Sequence, residues 1–179
     1  MPGTLTTEPA LDRADLLAAP VATALGDWPH TDQVFVAPID ADLADTAAFC
    51  EVYQVGLAES ANCVIVAGKR GGEVRYAACL VLATTRADVN GVVRRYLDVR
   101  KASFAPMDTA VEQTGMEYGG ITPIGLPKGW PVLVDPRVLE VPHVVVGSGV
   151  RRSKIVLPGR LTGDIPGAEV LVDLAVPVG

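Results

Sequence analysis

The stretch Tyr118-Gly119-Gly120-Ile121-Thr122-Pro123-Ile124-Gly125-Leu126-Pro127 packs three glycines and two prolines into ten residues. No regular helix or strand can run through it. Glycine reaches backbone angles closed to other residues and lets a ligand approach the main chain closely. Proline fixes its own φ and pushes the residue before it toward extended geometry, so Thr122 and Leu126 are expected to be extended. The result is a stiff loop with amide N–H groups free to point at something, anchored by the apolar run Trp130 to Val134. A tight surface connection would suit the same residues. A second punctuated loop, Gly147-Ser148-Gly149 followed by Val150-Arg151-Arg152-Ser153-Lys154, favours a ligand-facing role for both.

The flanking sequence sorts into short elements. Residues 1–29 read as an N-terminal helical extension packed on the domain, with Leu11, Leu16, Leu17, Val21 and Leu25 on one face and Pro20 bending it. Residues 30–179 form the main domain. A strand is expected over Gln33–Ala37. Asp40 or Asp42 is expected to cap a helix running to about Gln54. Asn62–Gly68 and Val74–Ala83 are β-branched runs joined by Lys69-Arg70-Gly71-Gly72, a hairpin signal. Asp88 should cap a second helix, and Ala102–Ala105 a short strand. Pro106 and Gly115 bracket a third helix. Strands are then expected at Pro131–Val134, His143–Val146, Ser153–Leu157 and Glu169–Ala175, with Asp135-Pro136 as a turn. About seven strands without strict βαβ alternation, and no G-x-G-x-x-G after a first strand, disfavour a dinucleotide-binding fold. A mixed α/β (α+β) domain fits better, with a central, partly closed β-sheet covered by helices.

Composition narrows the function. At 179 residues, nearly half of them hydrophobic, the chain can bury a real core. No apolar run of about 18 residues exists, so no membrane partner is expected. The N-terminus lacks the pattern of a signal peptide, which points to the cytoplasm. Cys50, Cys63 and Cys79 form no C-x-x-C and read as buried free thiols rather than disulfides or zinc ligands. His30 and His143, the only histidines, cannot build a His-rich metal cluster, and no metal or cofactor is expected. The net charge of −6 argues against broad duplex binding, DNA included, which rests on many Lys/Arg–phosphate contacts. It leaves room to grip one nucleic-acid end with local cations such as Arg151, Arg152 and Lys154. A solvated strand edge would account for those three equally well.

In this order, Ala105-Pro106, Thr114-Gly115, Gly119-Gly120-Ile121-Thr122-Pro123-Ile124-Gly125-Leu126-Pro127, Pro131-Val132-Leu133-Val134-Asp135, Val144-Val145-Val146-Gly147-Ser148-Gly149 and Lys154-Ile155 resemble the YbaK/ProX family. These are freestanding relatives of the editing domain inserted in bacterial prolyl-tRNA synthetase, and the similarity covers roughly residues 30 to 175. The resemblance implies a domain that hydrolyses misacylated tRNA, cutting a small wrong amino acid such as alanine or cysteine from tRNA for proline. The partner would be the 3′ end of an aminoacyl-tRNA, with an aminoacyl-tRNA synthetase as a second.

Main-chain groups of Gly119 and Gly120 would act on substrate and water. Ile121, Thr122, Pro123 and Gly125 would shape the aminoacyl site, and Gly147, Ser148, Gly149, Arg151, Arg152 and Lys154 would contact substrate. The family usually carries a lysine at the head of the first hairpin strand, where this chain has Asn62, which can donate a hydrogen bond but brings no charge. A non-catalytic binding module that kept the pocket is the alternative. Gly120→Val is expected to block the pocket while leaving the fold largely intact.

Overall fold

The computed structural model describes residues 1–178. Eleven strands run in chain order: β1 (Glu8–Pro9), β2 (Phe35–Pro38), β3 (Ala61–Arg70), β4 (Glu73–Leu82), β5 (Thr85–Ala87), β6 (Ala102–Phe104), β7 (Val132–Val134), β8 (Val144–Gly147), β9 (Ser153–Leu157), β10 (Ala168–Val170) and β11 (Ala175–Pro177). Five helices accompany them: α1 (Ala19–Asp27), α2 (Thr46–Tyr53), α3 (Arg94–Leu97), α4 (Met107–Thr114) and α5 (Pro136–Leu139). The fold is mixed α+β. The strands divide into a four-stranded sheet, β1-β2-β9-β8, a five-stranded sheet, β10-β7-β4-β3-β6, and a ribbon of β5 with β11. A bridge from Ser60 to Val145 ties the two larger sheets together. Strands too short to show periodicity raise the count above the expected seven.

The β3–β4 hairpin forms where Gly71 and Gly72 supply the positive φ angles, +58° and +81°, of a tight two-residue turn. It lies at the centre of the five-stranded sheet, with β7 parallel to β4 and β6 antiparallel to β3. Both faces of this sheet are covered, which is why β4 reads as an almost unbroken apolar run. Ala78 and Leu80 join the main core with Val36, Ile155 and Leu157 of the other sheet. Ala77, Cys79 and Val81 pack on the opposite face with Val93 and Leu97. Phe49 and Cys50 of α2 close a third cluster against Val145 and Val156.

Several boundaries differ from expectation for local reasons. The N-terminal segment is woven into the domain: Ala10, Leu16, Val21, Leu25 and Trp28 belong to the main core, and β1 pairs with β2. It is also not one bent helix. A 3-10 segment over Ala10–Leu16 gives way to α1, and Pro20 stands in the first turn of α1, where its missing N–H costs nothing. Asp40 caps only a 3-10 turn over Ala41–Leu43, while Asp45 caps α2. Asp88 accepts from Gly91 and Val92, and opens a π-helical turn leading into α3. Asp135 caps α5 rather than making a simple turn. The expected strand over Glu169–Ala175 is two strands, broken at Asp173 with φ +64°.

Candidate functional site

The edge of β3 that faces β6 is only partly used, because β6 pairs with β3 from Val66 to Gly68. Beside the unpaired part, a cavity of about 680 Å³ opens between the two larger sheets. Its walls are the start of α2 (Ala44, Asp45, Thr46), β3 from Ala61 to Ile65, Phe104, Ala105 and Met107, the glycine loop at Tyr118, Gly119 and Ile121, and the strand residues Gly147 and Lys154 with Arg151. Two sheet ends, a helix start and two loops therefore converge on one hollow.

Asn62 faces this cavity. Its Oδ1 accepts a hydrogen bond from the Thr46 hydroxyl at 2.7 Å, which leaves its amide hydrogens as the free end. Lys154 enters from β9 and is not part of a solvated edge: it is 8% exposed. Its Nζ donates to the Ala44 carbonyl at 3.3 Å and sits 5.1 Å from the centre of the Phe49 ring. It forms no ion pair with a carboxylate among the described residues. Burial pushes its pKa below the ordinary lysine value; the nearby Cys50 and the Asp45 carboxylate oppose that shift, and Arg151 adds to it. A buried cation with no carboxylate in direct contact is costly to keep, and this one borders open space.

Arg151 braces the mouth. Its guanidinium donates to the carbonyls of Tyr118 and Ala41, both at 3.1 Å, and its main-chain N–H donates to the Glu117 carboxylate. Arg152 turns away and donates to the Asp15 carbonyl at 2.7 Å, so it is not part of the cavity.

The glycine loop divides. Gly119 and Ile121 border the cavity, and among the described residues their N–H groups have no internal acceptor. Gly120 departs from expectation: its N–H is spent on the Glu117 carbonyl at 3.0 Å, and its own carbonyl accepts from Gly149 at 2.7 Å. A Cβ on Gly120 would lie 2.7 Å from the Val150 carbonyl carbon. The expected Gly120→Val test therefore perturbs the fold as much as any pocket. Thr122 is fully buried with an unpartnered hydroxyl, and it does not line the cavity. Pro123 and Gly125 face a second hollow of about 480 Å³, walled by Trp28, Trp130 and proline rings.

In the second loop, Gly147 is bare so that two backbones can meet: a Cβ there would come within 2.5 Å of the Gly120 carbonyl oxygen. Ser148 is buried, and its hydroxyl bonds to the carbonyls of Val150 and Ser153, so it is structural. Gly149, with φ +90°, packs against Ala18 and Val21 of the N-terminal segment.

Sequence reasoning missed Asp45, Thr46, Phe104, Met107 and the Tyr118 side chain. Phe104, Met107 and Tyr118 are 60%, 51% and 54% exposed at the cavity rim. The other exposed aromatic, Tyr96, is engaged with Glu169. An aspartate–threonine pair opening a helix is a signal that was open to reading.

Comparison with known proteins places this geometry. The sequence profile of the aminoacyl-tRNA editing domain matches residues 40–162. A crystal structure of a protein assigned provisionally as a trans-editing enzyme for prolyl tRNA synthetase superposes with a TM-score of 0.74 at 20% identity, covering 90% of this chain and 97% of the other. A protein described only as hypothetical gives 0.69 at 21%, covering 79% and 90%. A protein from Marinobacter aquaeolei VT8, provisionally ascribed to signal transduction, gives 0.57 at 20%; 89% of this chain matches 31% of that one. At these identities the structures speak for the fold. No helix among the described residues is long and apolar enough to cross a membrane.

Proposed function

Because the chain belongs to the aminoacyl-tRNA editing domain family, we propose that it hydrolyses the ester joining a small, wrongly attached amino acid to the terminal ribose of a tRNA. The observation that carries this reading is the cavity itself. Unspent amides at Gly119 and Ile121, the Asn62 carboxamide and the buried Lys154 ammonium border one hollow.

Attack of water on the ester carbonyl forms a tetrahedral oxyanion. The C–O bond to the ribose then breaks, the ribose oxygen takes a proton, and the attacking water loses one. No side chain need carry that proton, since a neighbouring ribose hydroxyl can relay it from the water to the leaving oxygen. The protein's task is to hold donors where negative charge develops, and loss of one such donor typically costs about 3 kcal/mol. The Lys154 ammonium does the work expected of a lysine at position 62, from another strand. The apolar side of the cavity, with Ile65, Ala105, Ala110 and Ile121, rejects larger side chains by size. Phe104 and Tyr118 offer faces on which the terminal base can stack.

Alanine or cysteine on tRNA for proline is the first substrate to test. Release of the amino acid faster than in buffer is expected, and no release with any mischarged small amino acid sinks the reading. Asn62 in place of the family lysine supports a second reading, a binder without turnover. If only Asn62→Lys hydrolyses the ester, that reading wins.

A further inference from the structure

Charge is distributed unevenly along this acidic chain. Between Lys69 and Lys101 fall eight of its fifteen Lys and Arg but only three of its twenty-one Asp and Glu. That segment carries an excess of positive charge while the whole chain stands at −6. The fold brings part of it together where the end of the β3–β4 hairpin meets the segment after α3. Arg70 and Arg75 at the end of the β3–β4 hairpin donate to the carbonyls of Asp98 and Leu97 at the C-terminal end of α3, and Arg70 pairs with the Asp98 carboxylate at 2.6 Å. Asp98 is thereby engaged. Lys69, Arg95, Arg100 and Lys101 are exposed, and among the described residues none of them forms an ion pair.

The surface also leads to the cavity. Gly68 lies opposite Ala102, and Val66 opposite Phe104. From Lys101 to Phe104 at the cavity rim is about 10 Å at the usual rise of a strand. A basic ridge that ends at an aromatic-rimmed hollow matches a polyanion whose flexible end must enter that hollow.

We propose that the ridge formed by Lys69, Arg95, Arg100 and Lys101 docks the phosphate backbone of the tRNA acceptor stem while the unpaired 3′ end runs past Phe104 into the cavity. The inference rests on the deacylase reading for the direction in which the RNA lies. Contacts to phosphate position a nucleic acid without reading its sequence, so the ridge sets affinity and the cavity sets which ester is cut. It also reconciles an acidic protein with an RNA substrate: the acidic remainder repels RNA that approaches in other orientations.

The test compares the wild-type chain with a variant carrying Lys69→Gln, Arg95→Gln, Arg100→Gln and Lys101→Gln, on two substrates. One is a full-length mischarged tRNA; the other is an aminoacyl-adenosine too short to reach the ridge. The variant should melt like wild type and cleave the short ester equally well. On tRNA its KM should rise roughly tenfold or more, with kcat unchanged, and the slope of log affinity against log salt should shrink by about 3. Binding of uncharged tRNA, followed by fluorescence anisotropy, should weaken in parallel.

An unchanged KM and salt slope overturn the proposal. So does equal binding of wild type to anionic phospholipid vesicles or to an acidic protein, lost in the same variant, since the ridge would then not be an RNA surface. If wild type cleaves neither ester, the deacylase reading fails. The anisotropy arm then still decides whether RNA binds the ridge.

Discussion

The two halves of the glycine loop carry similar residues and do opposite things. Gly119 and Gly125 both have φ +84°. Gly119 borders the polar cavity, and a Cβ there would meet only the tip of the Arg151 side chain, at 2.5 Å. Gly125 faces away, and a Cβ there would meet the Pro20 carbonyl oxygen at the same distance. One glycine leaves main-chain donors open to a ligand, and the other lets the loop seat on the N-terminal segment. Bareness of backbone is thus a shared means, and the neighbour across the gap decides whether it serves binding or packing.

The strongest way to break this contrast is Lys154→Met. If the first half of the loop belongs to a working site, turnover should fall by about a hundredfold or more. The same change should stabilise the fold by about 1 kcal/mol, because an unpaired buried charge is replaced by apolar volume. Single-turnover deacylation and thermal melting read the two effects, and a loss of both activity and stability would count against the assigned role.

Gly125→Ala should do the reverse. It strains a positive φ and collides with main chain, so melting should report a loss of about 2 kcal/mol. Activity per folded molecule should be retained. Gly119→Ala, by contrast, should lower activity, since the added methyl displaces the Arg151 brace.

Titration gives a subtler measure. A non-hydrolysable aminoacyl-adenosine analogue should bind more weakly as pH rises through the Lys154 pKa, because the ammonium is the binding form, and the midpoint should lie below the ordinary lysine value. Lys154→Arg should remove the midpoint. Stability should move the other way. The unfolded chain holds this proton more tightly than the folded one, so the fold gains stability as pH climbs from the folded-state pKa to the ordinary lysine value.

The smallest effect is expected at Thr46→Val. It frees the Asn62 carboxamide to rotate without removing it, and should cost a factor of roughly 3 to 10 in kcat/KM.

Much of the scaffold was legible because its signals are local. Gly71-Gly72 marks the hairpin turn, and Pro106 with Gly115 brackets α4. β1 is two residues long and has no periodicity to detect. β5 and β11 are short partners brought together from distant parts of the chain.

The candidate site was half legible. The glycine loop, Asn62, Arg151 and Lys154 stood out by residue type. The bond from Thr46 to Asn62 joins two separate elements, and nothing in either segment announces it. The loss of Gly120 as a donor depends on Glu117 folding back, which composition does not encode. Lys154 could have been read further: a lysine directly before the apolar run Ile155–Leu157, in a strand buried throughout, signals a charge held inside.

The cavity draws on residues from Ala44 to Lys154, and Arg151 ties its two rims through Tyr118 and Ala41. During synthesis, then, the chain leaves the ribosome with no partial workshop to use. Until Lys154 has emerged and β9 has slotted between β2 and β8, the cavity lacks one of its walls, and it should be completed in one late step.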